Sequence, residues 1–262
     1  MGGYKLTEQD YWDEYWRQRE SDAVEIKRTK KDLSINILLD VFDRFLPVNE
    51  NFHVLEIGGA PGQYLAYMHK KFKYHAHSLD YSKRGNEQTI KNLSSMGIKA
   101  VVYEKDIFAD NFSDGLPKFD VVYSLGFIEH FENFTEAVKR HIDLLKPGGI
   151  LMIGVPNLGG VYKYSLRYTA PKHLAMHNLN AMNISNWKNF ESEFGLIPVF
   201  NNYITGFEPL IMKKVEIKNF LTSFFSFIIK ALMIIFSFRF SFLRKFNSRF
   251  WSGYLIGIYK RN

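Results

Sequence analysis

Residues 53–65 constrain the chain more than any other stretch. His53, Val54, Leu55, Glu56 and Ile57 form a short apolar run, which reads as a buried parallel strand with an acid near its carboxyl end. Gly58, Gly59, Ala60 and Gly62 follow as a turn of small residues, where backbone can approach a ligand closely and visit positive φ. Pro61 suits the first turn of a helix, because its missing N–H would have no partner there anyway. Gln63, Tyr64, Leu65, Met68 and Phe72 continue that helix. Strand, glycine turn and helix in this order predict the nucleotide-site corner of a doubly wound α/β sheet.

The spacing of the small residues decides which nucleotide. A dinucleotide register starting at Gly58 puts Ala60 and Gln63 where glycines belong, a poor fit. An acidic-x-Gly-x-Gly-x-Gly register starting at Glu56 fits better, with Gly58 and Gly62 in place and Ala60 for the middle glycine. In that register the stretch resembles the class I, Rossmann-like methyltransferases that use S-adenosylmethionine. The resemblance implies that Gly58, Gly59, Ala60, Gly62 and Tyr64 pack around the methionyl part of the cofactor. It also implies that Glu56 organises the pocket around the amino group.

Residues 74–80 read as a second strand ending in Asp80 and followed by Tyr81, a little over twenty residues past the glycine turn. A carboxylate there can accept hydrogen bonds from ribose hydroxyls. Ser82 can cap a helix running to Met96, with Gly97 just past its end. A third strand over 100–103 leads to Asp106 and Ile107, which in the resemblance reach the adenine amino group and ring. A buried strand from Phe119 opens at Ser124, Leu125 and Gly126 into a small-residue loop. This run is similar to the fourth strand of the same family, whose loop lies beside the transferable methyl. Leu144 to Gly149 then precede a fifth strand over 150–155. Alternating strands and helices demand a mainly parallel sheet. The resemblance implies a three-layer α/β fold of seven strands, the last antiparallel. An N-terminal helical cap occupies 1–48 and the methyltransferase domain 49–262, with a sixth strand over 196–203 and the seventh over 253–260.

The cap carries Tyr11, Trp12, Tyr15 and Trp16 on one helical face, and a segment of this kind, by the same resemblance, closes over the pocket. A cationic sulfonium needs a dry, aromatic-lined site, so Tyr11 and Trp16 become candidate cofactor contacts. A second helix, with Ile35, Leu38, Val41, Phe42, Phe45 and Leu46, ends at Pro47 and packs on the sheet edge.

The acceptor is expected from residues 157–182, a loop rich in tyrosine and base: Tyr162, Lys163, Tyr164, Arg167, Tyr168, Lys172, His173 and His177. Basic and aromatic residues together suit a phosphorylated or sugar-bearing small molecule, and a solvated connecting loop is the plain alternative. A general base with a near-neutral pKa assists transfer to a hydroxyl. His130 is the best-placed candidate, with His173 and His177 behind it, although packing and proximity alone also account for these residues. The segment after Ser124 lacks the Asn-Pro-Pro or Asp-Pro-Pro pattern of base-amino methylating enzymes, so nucleic acid is not the expected partner. No metal-ligand constellation is visible.

Charge and composition bear on location. The chain of 262 residues has no cysteine, which excludes disulfides and thiolate zinc sites and suits a reducing compartment. Asp10, Asp13 and Glu14, with no apolar run beside them, do not make a secretory leader, so a cytoplasmic protein is expected. Net charge is +7, yet residues 213–262 hold ten basic residues and one acid. Within them, 219–238 carry only Lys230 as a charge. A single crossing of a membrane would separate the seventh strand from its sheet. The insertion 217–246 is therefore expected to be a helical lid, a homodimer interface, or a helix on the inner membrane surface. The function expected is methyl transfer to a small-molecule acceptor, an oxygen of a sugar, phosphorylated or surface-glycan precursor as in polysaccharide biosynthesis. A lipid or quinone-like acceptor and a non-catalytic cofactor-binding subunit are the alternatives.

Overall fold

A computed structural model describes residues 5–19, 24–29, 32–213 and 246–262, together with the single positions 216, 224 and 228. Most of the expected insertion 217–246 lies outside the described residues. Seven strands form one sheet in the order β3-β2-β1-β4-β5-β7-β6. They are β1 (His53–Ile57), β2 (His75–Asp80), β3 (Ala100–Glu104), β4 (Phe119–Leu125), β5 (Leu145–Pro156), β6 (Leu196–Phe207) and β7 (Ser252–Arg261). The first five pair in parallel, and β7 runs antiparallel between β5 and β6. The seven-stranded sheet with its reversed last strand is the expected fold.

Side-chain alternation builds two cores, one on each face of the sheet. Leu55, Ile57, Val122, Leu151, Ile153 and Leu255 pack on one face against α5 (Phe134–Asp143), α6 (Gly160–Thr169) and α8 (Ile184–Glu193). Val54, Val121, Tyr123, Met152, Ile256 and Ile258 pack on the other against α2 (Leu33–Phe45), α3 (Gln63–Phe72) and α4 (Lys83–Ser95). Both faces are covered, so these strands read as apolar runs rather than as half-polar ones.

Local details differ from the sequence reading where a backbone constraint intervenes. Pro61 is not in the first turn of α3. Gly62 at φ +77 is the N-cap, and the helix begins only at Gln63. The fifth strand starts earlier than expected, at Leu145, because Leu145 pairs with Phe119 while Ile150 pairs with Val121 and the residues between bulge out. The stretch 157–182 is not a loop. It folds as α6, the short α7 (Pro171–Ala175) and a 3-10 turn at Leu179–Met182. Its helical spacing buries Tyr162 and Leu166 and leaves Lys163, Tyr164, Arg167 and Tyr168 exposed as an outer stripe.

The chain before the sheet is tied across its carboxyl edge. Lys5 bridges to Phe131, and the Leu6 N–H donates to the His130 carbonyl at 2.8 Å. Helix α1 (Gln9–Arg17) then lies on the start of α4, where the Ser82 hydroxyl donates to Asp13 at 2.6 Å and the Gln88 amide to the Trp16 carbonyl at 2.6 Å. Among the described residues no helix is long and apolar enough to cross a membrane.

The cores make a direct prediction. Trp187 on α8 is fully buried and donates its indole N–H to the Ala181 carbonyl at 2.9 Å. Trp187→Ala should lower unfolding free energy by about 3–5 kcal/mol, read from urea denaturation.

Candidate functional site

The order of strands places β1 beside β4 at the point where the chain reverses direction across the sheet, so the loops after both strands open into one crevice. A cavity of about 650 Å³ lies there. Its floor is Gly58, Ala60 and Pro61 from the turn after β1, with Asp80 and Tyr81 from the end of β2. Leu125, Gly126, Phe127, His130 and Phe131 line it from the β4 side. Its roof is Trp12, Tyr15, Trp16 and Arg19.

Glycine is required at the turn for stated reasons. Gly58 has φ +66, and a Cβ there would stand 2.2 Å from the Phe127 ring. A Cβ on Gly59 would stand 1.9 Å from the carboxyl carbon of Glu56. The turn thus presses backbone against an aromatic wall on one side and a carboxylate on the other.

Three carboxyl groups at this edge are buried. Glu56 is 1% exposed, and its Oε2 has no hydrogen-bond partner among the described residues. Burial raises its pKa to about 8, and the Asp80 charge pushes the same way. Asp80 accepts the Ser82 N–H at 2.8 Å, yet burial still raises it to about 7. Glu129 is 1% exposed, and burial raises it to about 8. Its Oε1 lies 3.5 Å from where a Cβ would stand on Gly126, so the carboxylate meets the cavity wall at bare backbone.

His130 sits in a 3-10 turn at Ile128–His130, with Trp12 edge-on to its ring at 5.1 Å. Its Nδ1 lies 3.1 Å from the Met176 carbonyl, which can only accept, so Nδ1 carries the proton. Burial, reinforced by His177, lowers its pKa to about 3. The imidazole is therefore neutral and a weak base, offering a lone pair at Nε2.

The fold gathers some of the expected residues and not others. Gly58, Ala60, Asp80, Tyr81, Leu125, Gly126, His130 and Trp16 line the cavity. Asp106 and Ile107 line an adjoining recess with Lys5, Asp80, Tyr81 and Phe127, and Lys5 Nζ pairs with Asp106 at 2.5 Å. Glu56, Gly59, Gly62, Tyr64 and Ser124 are absent from the cavity lining. Tyr64 packs edge-on against Phe42 of α2 at 6.2 Å. Tyr11 points away and is 38% exposed. His173 and His177 are not in the lining, although the His177 ring lies 4.7 Å from that of His130. Trp12, Tyr15, Arg19, Gln88 and Phe127 complete the wall without having been chosen as cofactor contacts. Trp12 and Tyr15 had a signal, since they share a face of α1 with Trp16. Three side chains of types able to ligate a metal also meet, a grouping not visible in the sequence: Glu129, His130 and His177.

The sequence profile of a methyltransferase domain family matches residues 16–202. The chain belongs to that family. A phosphoethanolamine N-methyltransferase of Plasmodium falciparum is 31% identical over 111 residues, 41% of this chain and 40% of that protein. The match thus spans two-fifths of that relative's length. Among solved structures, coclaurine N-methyltransferase bound to N-methylheliamine and S-adenosylhomocysteine superposes with a TM-score of 0.59 at 13% identity, over 99% of this chain and 89% of that one. A methyltransferase from Archaeoglobus fulgidus gives 0.53 at 20% identity, over 86% and 93%. At these identities the structural likeness shows the fold.

The methyl donor of the class is S-adenosylmethionine, and the residues present fit it. Glu56 offers a buried carboxylate oxygen without a partner, Asp80 a second buried carboxylate one strand away, and the glycine turn a floor with no room for side chains.

Burial of Glu56 predicts a pH effect on the unliganded protein. Its folded pKa, about 8, is above the ordinary value of 4.5, so the folded state holds the proton between the two. The stability this gives is complete below pH 4.5 and is lost as pH rises through 8. Glu56→Gln should therefore flatten the fall in Tm between pH 5 and 8, measured by calorimetric melting of both proteins.

Proposed function

We propose that this chain transfers a methyl group from S-adenosylmethionine to a small-molecule acceptor held between α1 and the loop after β4. The observation that carries the reading is the single cavity, of ligand-binding size, that joins the glycine turn and Asp80 to His130 and the α1 aromatics. When bound, the donor supplies an electrophilic methyl carbon on a cationic sulfur. Glu56, behind Gly59, organises the pocket around the donor's amino group, Asp80 holds its ribose hydroxyls, and Asp106 with Ile107 its adenine. Trp12, Tyr15 and Trp16 exclude water and present ring faces that favour positive charge. The backbone of Leu125 and Gly126, with no bulky side chain at the glycine, lets acceptor and methyl approach. His130 stands at the wall beside the acceptor, and its low basicity leaves proximity as the main contribution to rate.

For the acceptor we propose an oxygen of a sugar, phosphorylated or surface-glycan precursor. Arg19 supports this reading, since its guanidinium stands at the cavity wall and 4.2 Å from the centre of the Tyr15 ring, suited to an anionic group. The exposed face of α6 no longer supports it, because Lys163, Tyr164, Arg167 and Tyr168 point to solvent away from the cavity. An amine is a second reading, favoured by the N-methylating relative, whose named substrate is itself phosphorylated. A lipid or quinone-like acceptor at a membrane surface draws on the exposed Tyr164, Tyr168, Phe250 and Trp251.

Titration calorimetry tests the donor site. Asp80→Ala should weaken S-adenosylmethionine binding by about 10–100-fold, from the loss of hydrogen bonds to a charged group, and Gly58→Arg should abolish it. NAD should not bind. Unchanged affinity in both variants would refute the site. Isotope transfer to a panel of phosphorylated sugars, amines and lipid-linked alcohols then reads the acceptor, and donor binding without transfer to any of them would favour a non-catalytic subunit.

A further inference from the structure

Glu129, His130 and His177 meet at the part of the cavity wall that His130 forms, and their ligand atoms all lie within 4.8 Å of one another. The folded chain prepares each for the same task. His130 Nδ1 donates to the Met176 carbonyl at 3.1 Å, and His177 Nδ1 donates to the His173 carbonyl at 2.7 Å. Carbonyl oxygens accept only, so both rings are fixed in the tautomer that carries its lone pair on Nε2. Backbone carbonyls orient metal-binding histidines in this way. His130 Nε2 stands 4.0 Å from Glu129 Oε1, and the second carboxylate oxygen, Oε2, is buried with no hydrogen-bond partner among the described residues. Among the described residues no lysine or arginine bonds to this buried carboxylate, and it lies beside two imidazoles.

We propose that Glu129, His130 and His177 bind a divalent transition-metal ion of the Mn²⁺, Co²⁺ or Zn²⁺ kind at the wall of this cavity. Two imidazoles and one carboxylate suit ions of this borderline class better than Mg²⁺ or Ca²⁺, which prefer all-oxygen sets. Ligands about 2.0–2.2 Å from a shared ion at tetrahedral or octahedral angles stand roughly 3–3.6 Å apart, so these atoms, now up to 4.8 Å apart, draw together by about an ångström when the ion binds. Three protein ligands leave open positions, within reach of the cavity through His130 and Gly126, the two residues of this corner that line it.

Open positions on such an ion take an oxygen ligand, which narrows the acceptor to a hydroxyl, best one with a neighbouring oxygen to chelate. Ligation lowers the pKa of a hydroxyl, so its proton leaves to water without a strong protein base. The oxygen lone pair forms the new C–O bond as the C–S bond breaks, and the sulfur keeps the bonding pair. This second half rests on the proposed methyl transfer; metal binding does not.

The test uses the full chain, stripped with EDTA and titrated with Co²⁺ and Mn²⁺, followed by ligand-field absorption and electron paramagnetic resonance. The expected result is one ion per chain, with affinity lowered by at least about tenfold in His177→Asn and in Glu129→Gln. His177 is half-buried, so its variant is the less disruptive of the two, and a melting curve matching wild type establishes that it is folded. No ion in the wild type, or equal affinity in a folded His177→Asn, would overturn the metal site. Donor titrations on the same samples separate the two readings. Donor binding without metal leaves the methyltransferase reading standing, and metal without donor leaves the metal site standing. Transfer that EDTA abolishes and Mn²⁺ restores is expected; transfer indifferent to EDTA would overturn the role of the ion in holding the acceptor.

Discussion

The contact on which this molecule depends is the one between Gly58 and Phe127. With a Cβ-to-ring distance of only 2.2 Å available, no side chain fits at Gly58, and the turn after β1 closes flat against the loop after β4. That closure exists because β1 and β4 are hydrogen-bonded neighbours although they are far apart in sequence. The rest of the site follows. Glu56 turns back beneath Gly59, Gly62 starts α3 in a left-handed conformation, and the 3-10 turn after Phe127 sets Glu129 and His130 at the wall.

Electrostatically the site runs against the chain as a whole. The protein carries a net charge of +7, while the carboxyl edge of its sheet buries Glu56, Asp80 and Glu129. Burying a carboxylate without a partner is costly, and the pKa values of all three rise in consequence. Such an arrangement destabilises the unliganded protein and is relieved by a ligand that brings cationic or hydrogen-bond-donating groups. Basic charge, in contrast, is concentrated in the last fifth of the sequence. The exposed stripe of α6 adds Lys163 and Arg167 to the outer surface, where charge is solvated.

Much of this was legible beforehand. All seven strands were located beforehand, most of them as apolar runs, with β2 (His75–Asp80) found instead from its place between two helices and its closing acid. The acidic and glycine spacing from Glu56 to Gly62 pointed to the class of nucleotide, and the Asp80 position followed from its distance along the chain. The misses share a physical cause. Residues 157–182 look like a polar loop because their tyrosines and lysines alternate with apolar residues at helical spacing, and only packing against the sheet shows Tyr162 to be core. Tyr11 and Trp16 look equivalent in sequence, but helix α1 is held by Asp13 and Trp16 on α4, which turns 12, 15 and 16 inward and 11 outward.

The sequence by itself therefore determined the alternation of strands and helices and the small-residue turn under a nucleotide. These depend on local periodicity and on the sterics of glycine. Tertiary structure alone decided which side chains share a volume. Glu129 and His130 are adjacent in the chain, but His177 reaches them only because α6 and α7 double back beneath the 3-10 turn, where Asn178 N–H donates to the Glu129 carbonyl at 2.6 Å. Spacing in sequence carries no trace of that meeting, because it is fixed by the packing of helices on a sheet and not by any local preference of the residues involved.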